Sequence, residues 1–144
     1  MKMIVLCIIV CMLSVGLGDI ALSDSGANVD VEFIEFIPSR LSAGVPFEFI
    51  FRCRNTGNEP INPFAEVTLS GGVYDSDDKQ ILNAQDKKYR LYNFFPGDKS
   101  GRLRFYIGSL QKGSYMLKLN INAYSRTKQV NISNSTYSMP ITVD

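Results

Sequence analysis

Beyond residue 28, apolar and polar side chains alternate at every second position, and turn residues cut the alternation into short runs. An extended backbone sends successive side chains to opposite faces, so each run has one face for a core and one for water. That is a strand pattern, and it excludes an amphipathic helix. Val29, Val31 and Phe33 alternate with Asp30 and Glu32 until Pro38. Phe47, Phe49, Phe51 and Cys53 line one side of a second run, which closes at Asn55-Thr56-Gly57-Asn58. After Pro60 and Pro63, the stretch Phe64 to Ser70 sets Ala65, Val67 and Leu69 against Glu66 and Thr68, and Gly71-Gly72 allows a sharp bend. The next turn is Asp75-Ser76-Asp77-Asp78-Lys79.

From Gln80 to Phe95 the alternation is poorest, and one or two short strands are expected there, ended by Pro96-Gly97-Asp98. Leu103, Phe105 and Ile107 alternate with Arg102, Arg104 and Tyr106; Tyr115, Leu117, Leu119, Ile121 and Ala123 alternate with Met116, Lys118 and Asn120. A last strand is expected over Thr136 to Val143, with Pro140 on an edge or at a bulge. No window of helical period and adequate length follows residue 19. About seven short strands joined by turns predict an all-β fold, an immunoglobulin-like β-sandwich with Greek-key connections over residues 29–144. A length of 144 residues suits one such domain, and 45% hydrophobic residues with seven Tyr and nine Phe are too apolar for a disordered chain.

The first eighteen residues follow a different rule. Lys2 precedes an unbroken apolar run, Met3 to Leu13, and Gly16 and Gly18 are small residues placed for a signal peptidase cutting before Asp19. Residues 1–18 are therefore expected to be a signal peptide, 19–28 a flexible linker, and the product secreted or held at the cell surface. The rival reading is an uncleaved anchor; Met3 to Gly18 as a helix would span about 24 Å against a hydrocarbon core of about 30 Å. Under that reading the chain touches the membrane through residues 3–18 only.

Cys7 and Cys11 leave with the leader, so Cys53 is the one thiol of the mature chain and no internal disulfide can form there. In phase with three phenylalanines, it is expected to be a buried, inert structural residue. The chain has no histidine, which removes Ser-His-Asp and Cys-His catalysis and most zinc sites. The chain is read as no enzyme. A formal net charge of +1 supplies no basic field for nucleic acid or an anionic membrane.

Val31 to Phe49 with Arg52 to Pro60, then Phe95-Pro96-Gly97-Asp98-Lys99-Ser100 and Leu110 to Tyr115, resemble the cell-adhesion-related (CARDB-like) immunoglobulin-like modules. The likeness covers residues 29–143. It implies a β-sandwich in a secreted or surface protein of archaea or bacteria, where such modules often stand in tandem.

The remaining candidates are local. Asp75, Asp77 and Asp78 offer closely spaced oxygens to a Ca²⁺ ion, with Asp86 and Asp98 able to add ligands only if loops converge; the same five residues suit an ordinary solvated turn, and no cofactor is otherwise expected. Glu32, Glu35 and Glu48 are the acids available for glycoside hydrolysis, at no spacing that predicts a pair. Tyr89, Tyr92, Tyr106 and Tyr124 could form a sugar-stacking platform or simply pack across strands. Tyr115 is expected to act structurally as a tyrosine corner. Two sequons, Asn131-Ile132-Ser133 and Asn134-Ser135-Thr136, mark a polar, exposed loop for glycosylation. The function expected is an extracellular or cell-envelope structural or adhesion-type module that meets a protein or surface-glycan partner, or another copy of itself, through strand edges and loops. The alternatives are an anchored envelope or filament-associated subunit, similar in layout to archaellum stator or pilus-like proteins, and a carbohydrate- or calcium-binding accessory domain.

Overall fold

The computed structural model describes residues 26–125 and 130–144. The expected signal peptide, 1–18, and linker residues 19–25 lie outside the described residues. The elements in chain order are β1 (Val29–Ile37), β2 (Phe47–Asn55), β3 (Ile61–Tyr74), β4 (Gln80–Phe94), β5 (Leu103–Gly108), β6 (Gly113–Ser125) and β7 (Val130–Val143). They form two antiparallel sheets, a three-stranded one in the order β1-β2-β5 and a four-stranded one in the order β4-β3-β6-β7. The pairs β1-β2, β3-β4 and β6-β7 stay within a sheet, whereas the chain changes sheet between β2 and β3, β4 and β5, and β5 and β6. This is an immunoglobulin-like Greek-key β-sandwich.

The alternation places its apolar phase between the sheets. Phe47, Phe49, Phe51, Cys53, Phe105 and Ile107 face Val67, Leu69, Leu117, Leu119, Ile121 and Ala123, and all are buried. Phe49 joins the layers through rings, with centroids 5.2 Å from Phe33, 5.7 Å from Phe51 and 5.6 Å from Tyr137. Each fully buried side chain of this size contributes about 1.5–3 kcal/mol of transfer free energy. With Cys53 the one cysteine among the described residues and free, that packing is the main source of stability there.

Three elements depart from the expected boundaries. β3 continues through Gly71-Gly72 as one strand, with Gly71 at φ 127° and a register shift against β4 between Leu69 and Gly71. A Cβ on Gly71 would lie 2.2 Å from the Lys118 carbonyl oxygen, and one on Gly72 would lie 1.9 Å from that of Leu82. The two glycines let β6 and β4 approach β3 from either side, a close-approach role that shares its residue type with a turn. The stretch expected to hold one or two short strands is a single strand of 15 residues, β4. Its register against β3 slips between Leu69 and Gly71, so its inward positions, Ala84, Tyr89, Leu91 and Phe94, follow no fixed period. β7 begins at Val130 and not near Thr136, so the two sequons lie in a strand and not in a loop. Pairing with β6 from Gly113 to Ser125 overrides the low strand propensity of Asn and Ser. Pro140 sits on this edge strand, opposite Met116.

Residues 26–28, assigned to the linker by sequence, are tied to the β2-β3 turn. Gly26 N–H donates to Asn58 Oδ1 at 3.1 Å, and Thr56 N–H donates to the Asn28 carbonyl at 2.9 Å.

Candidate functional site: two outer faces and an open edge

The outer face of the three-stranded sheet is a ladder of charges. β1 contributes Asp30 and Glu32, which stand opposite Arg54 and Arg52 of β2. Lys99 approaches Glu32 at 3.2 Å, Arg104 approaches Glu48 at 3.7 Å, and Arg102 pairs with Glu35. Each acid considered for glycoside hydrolysis thus faces a cation on the surface. Such exposed pairs contribute little to stability, about 0–1 kcal/mol each, but they leave this face charge-balanced and well hydrated.

The four-stranded sheet presents a different chemistry. Residues opposite one another across strands share a face. Thr68, Asn122 and Asn134 form one row, Ser70, Asn120 and Thr136 the next, and Thr136 Oγ1 donates to Asn120 Oδ1 at 3.3 Å. A further row holds Arg90, Glu66, Tyr124 and Asn131, with Lys88 at 3.1 Å from Glu66. At the end stand Phe64 and Tyr92, with ring centroids 5.7 Å apart, and the Arg90 guanidinium 5.5 Å from the Phe64 ring. The result is a face on which two rows of neutral amides and hydroxyls lie beside a charged row, Arg90, Glu66 and Lys88, with an aromatic pair at its border.

The four tyrosines considered as one platform separate. Tyr92 and Tyr124 share this face; Tyr106, 56% exposed, stands opposite Glu48 on the other sheet. Tyr89 is buried, and its hydroxyl donates to the Arg104 carbonyl at 2.6 Å. Burial, and then the neighbouring Cys53, push its pKa upward. Lys87 Nζ donates to the same carbonyl at 3.1 Å, so β4 side chains cap the free edge of β5. β7 has no strand on its outer side among the described residues, and it is 14 residues long.

The Asp75 turn is largely self-satisfied. Asp75 Oδ1 accepts the backbone N–H groups of Asp77 at 2.9 Å and Lys79 at 3.0 Å, and Asp78, at φ 59°, pairs with Lys118. Lys118 also lies 4.8 Å from the Tyr74 ring centroid. Among the described residues, no three His, Cys, Asp or Glu side chains come together as a metal site. Cys53 is fully buried, and that burial pushes its pKa up to about 12. The Tyr115 hydroxyl donates to the Gln111 carbonyl at 2.8 Å, fastening the β5-β6 connection to the start of β6.

Sequence reasoning missed Asn55. Taken as the first residue of a turn, it is fully buried. Its Nδ2 donates to the carbonyls of Glu59 at 2.9 Å and Phe94 at 3.0 Å, while Oδ1 accepts from Gly57 N–H at 3.0 Å and Asn28 N–H at 3.4 Å. Its backbone meets the Pro96-Gly97-Asp98 turn, with Asn55 N–H to Asp98 O at 3.0 Å and Gly97 N–H to Asn55 O at 2.8 Å. One amide therefore joins three loops at this end of the sandwich. The signal was present: Asn55 continues the period-two phase of Phe47, Phe49, Phe51 and Cys53.

The strand order β1-β2-β5 against β4-β3-β6-β7 is the feature to compare. A crystal structure of the CARDB domain of a Pyrococcus furiosus protein, solved in complex with di-metal ions, superposes with a TM-score of 0.50, covering 85% of this chain and 93% of that one at 16% identity. The chain has the fold of a CARDB domain. No family model matches its sequence, and no curated protein does. At 16% identity, what this comparison shows is the fold.

Proposed function

We propose that the chain is an exported, non-catalytic structural or adhesion-type module of the cell surface, which engages a protein or surface-glycan partner through strand edges and loops. The observation that supports it best is the edge of β7, beside which no strand lies among the described residues: backbone N–H and C=O groups on such an edge can accept a strand, and its length exceeds that of any other edge but β4. The apolar leader of residues 1–18 supports export. Charge pairing of Glu32, Glu35 and Glu48, together with the lack of histidine, supports a role without catalysis. The test is protease shaving of intact cells of the native host. Peptides of residues 29–144 released before any cytosolic marker agree with the reading, and a chain protected until lysis refutes it.

A further inference from the structure

Asn131 and Asn134 are three residues apart, a spacing that in a regular strand sends two side chains to opposite faces. The β-bulge of the β6-β7 pair cancels this. Ser133 pairs with Ala123 but Asn131 pairs with Tyr124, so Ile132 is the extra residue and the phase of β7 changes between the two asparagines. Both are exposed, and both emerge on the outer face of the four-stranded sheet, Asn134 opposite Asn122 and Asn131 opposite Tyr124. Each begins an Asn-X-Ser/Thr triplet.

We propose that Asn131 and Asn134 both carry N-linked glycans and that the first sugar on Asn131 packs on the Tyr124 ring. Directly opposed residues of an antiparallel pair have Cβ atoms about 4.5–5.5 Å apart, which brings a sugar on Asn131 Nδ2 over that ring. Towards β4 the same row continues with Glu66 and Arg90, with the Phe64–Tyr92 pair at its end, and the amides of Asn120 and Asn122 offer donors and acceptors to sugar hydroxyls. The donor is an oligosaccharide on a polyprenyl phosphate or pyrophosphate. The asparagine amide nitrogen bonds to the anomeric carbon and gives up one proton to a base of the transferase. The anomeric C–O bond to phosphate breaks, and the lipid phosphate leaves with its electron pair. The edge position of β7 leaves room for the attachment, and the sugar shields the first part of that edge from unwanted pairing. Docking by strand addition is then confined to the Thr136–Val143 half and to the other edges.

This inference rests on the export reading, and one measurement separates the two. Intact and peptide mass spectrometry of the protein from its native host is expected to show sugar mass on both Asn131 and Asn134, each lost singly in N131Q and N134Q. An unmodified asparagine at either position overturns the proposal. In that event, a chain beginning at Asp19 leaves export standing, and an unprocessed cytosolic chain removes both. For the packing step, Tyr124→Ala should lower the melting temperature about 3 °C further in glycosylated protein than in unglycosylated protein made in a host lacking the transferase. Equal decreases overturn the stacking contact.

Discussion

Replacing Asn55 with alanine removes one amide and opens four hydrogen bonds at once. The bond from Nδ2 to the Phe94 carbonyl is buried, and an orphaned acceptor there costs about 1–3 kcal/mol. The bonds to Glu59 O, Gly57 N–H and Asn28 N–H are part-buried, and water can replace them, so each contributes about 0.5–1 kcal/mol. Together these come to about 2.5–6 kcal/mol, a large share of the roughly 5–15 kcal/mol available to a domain. Chemical denaturation monitored by tyrosine fluorescence should show the midpoint falling with an unchanged slope, and the melting temperature should fall by about 10–20 °C. Asn58→Ala is the comparison, because its bond to Gly26 N–H is exposed, and it should cost about 1 kcal/mol or less. Asn55→Asp sharpens the test, since it aims an oxygen at the Glu59 and Phe94 carbonyls. Burial beside those carbonyls raises the carboxyl pKa in the folded state. The protonated form is then favoured by folding, so the variant should regain stability as pH falls through the folded pKa towards the unfolded value of about 3.9. A loss of under about 1 kcal/mol in Asn55→Ala, or one no greater than that of Asn58→Ala, would refute the view that this amide holds three loops together.

Gly72→Ala places a Cβ 1.9 Å from the Leu82 carbonyl oxygen, so β4 must move; the variant should lose about 3 kcal/mol or more, and a melting curve within about 2 °C of wild type would contradict the close approach. With the Cys53 pKa pushed up to about 12, the thiolate is scarce at pH 8; a thiol reagent should label the unfolded chain and leave the native one essentially unlabelled over the same period. Millimolar calcium should leave the melting temperature within about 1 °C, because Asp75 already accepts two amides and Asp78 pairs with Lys118; a clear rise would show a site at the turn.

What could be read from the sequence followed the regularity of each strand. Phe47 to Cys53 and Tyr115 to Ala123 keep one phase along their length, so their inward faces were legible, and with them the sandwich. β4 was not legible, because its inward residues are set by register slips against β3, and a slip leaves no mark in the strand that follows it. The close-approach role of Gly71-Gly72 was hidden for a related reason: absence of a Cβ serves a bend and a close approach equally, and the neighbours that need it, the Lys118 and Leu82 carbonyls, are remote in sequence. Of the candidate residues, Cys53 and Tyr115 could be placed from local pattern alone, whereas the distribution of Tyr89, Tyr92, Tyr106 and Tyr124 over a core and two faces depended on which sheet each strand joined.

The same physics connects the illegible part to the proposed use of the molecule. A β7 without its bulge would bury one asparagine of the two when it exposed the other, and the pair of sequons would be divided between core and solvent. The bulge spends one residue, Ile132, to set both on a face that already holds neutral amides and a tyrosine. The opposite face, with its crossed acid and base pairs, has no comparable neutral surface. If Asn131 and Asn134 carry sugar as proposed, the edges are the remaining route for strand addition and the two halves of β7 would take different tasks: the Asn131–Asn134 half shielded, and the Thr136–Val143 half open to a partner, with Pro140 limiting how far an added strand can pair along it.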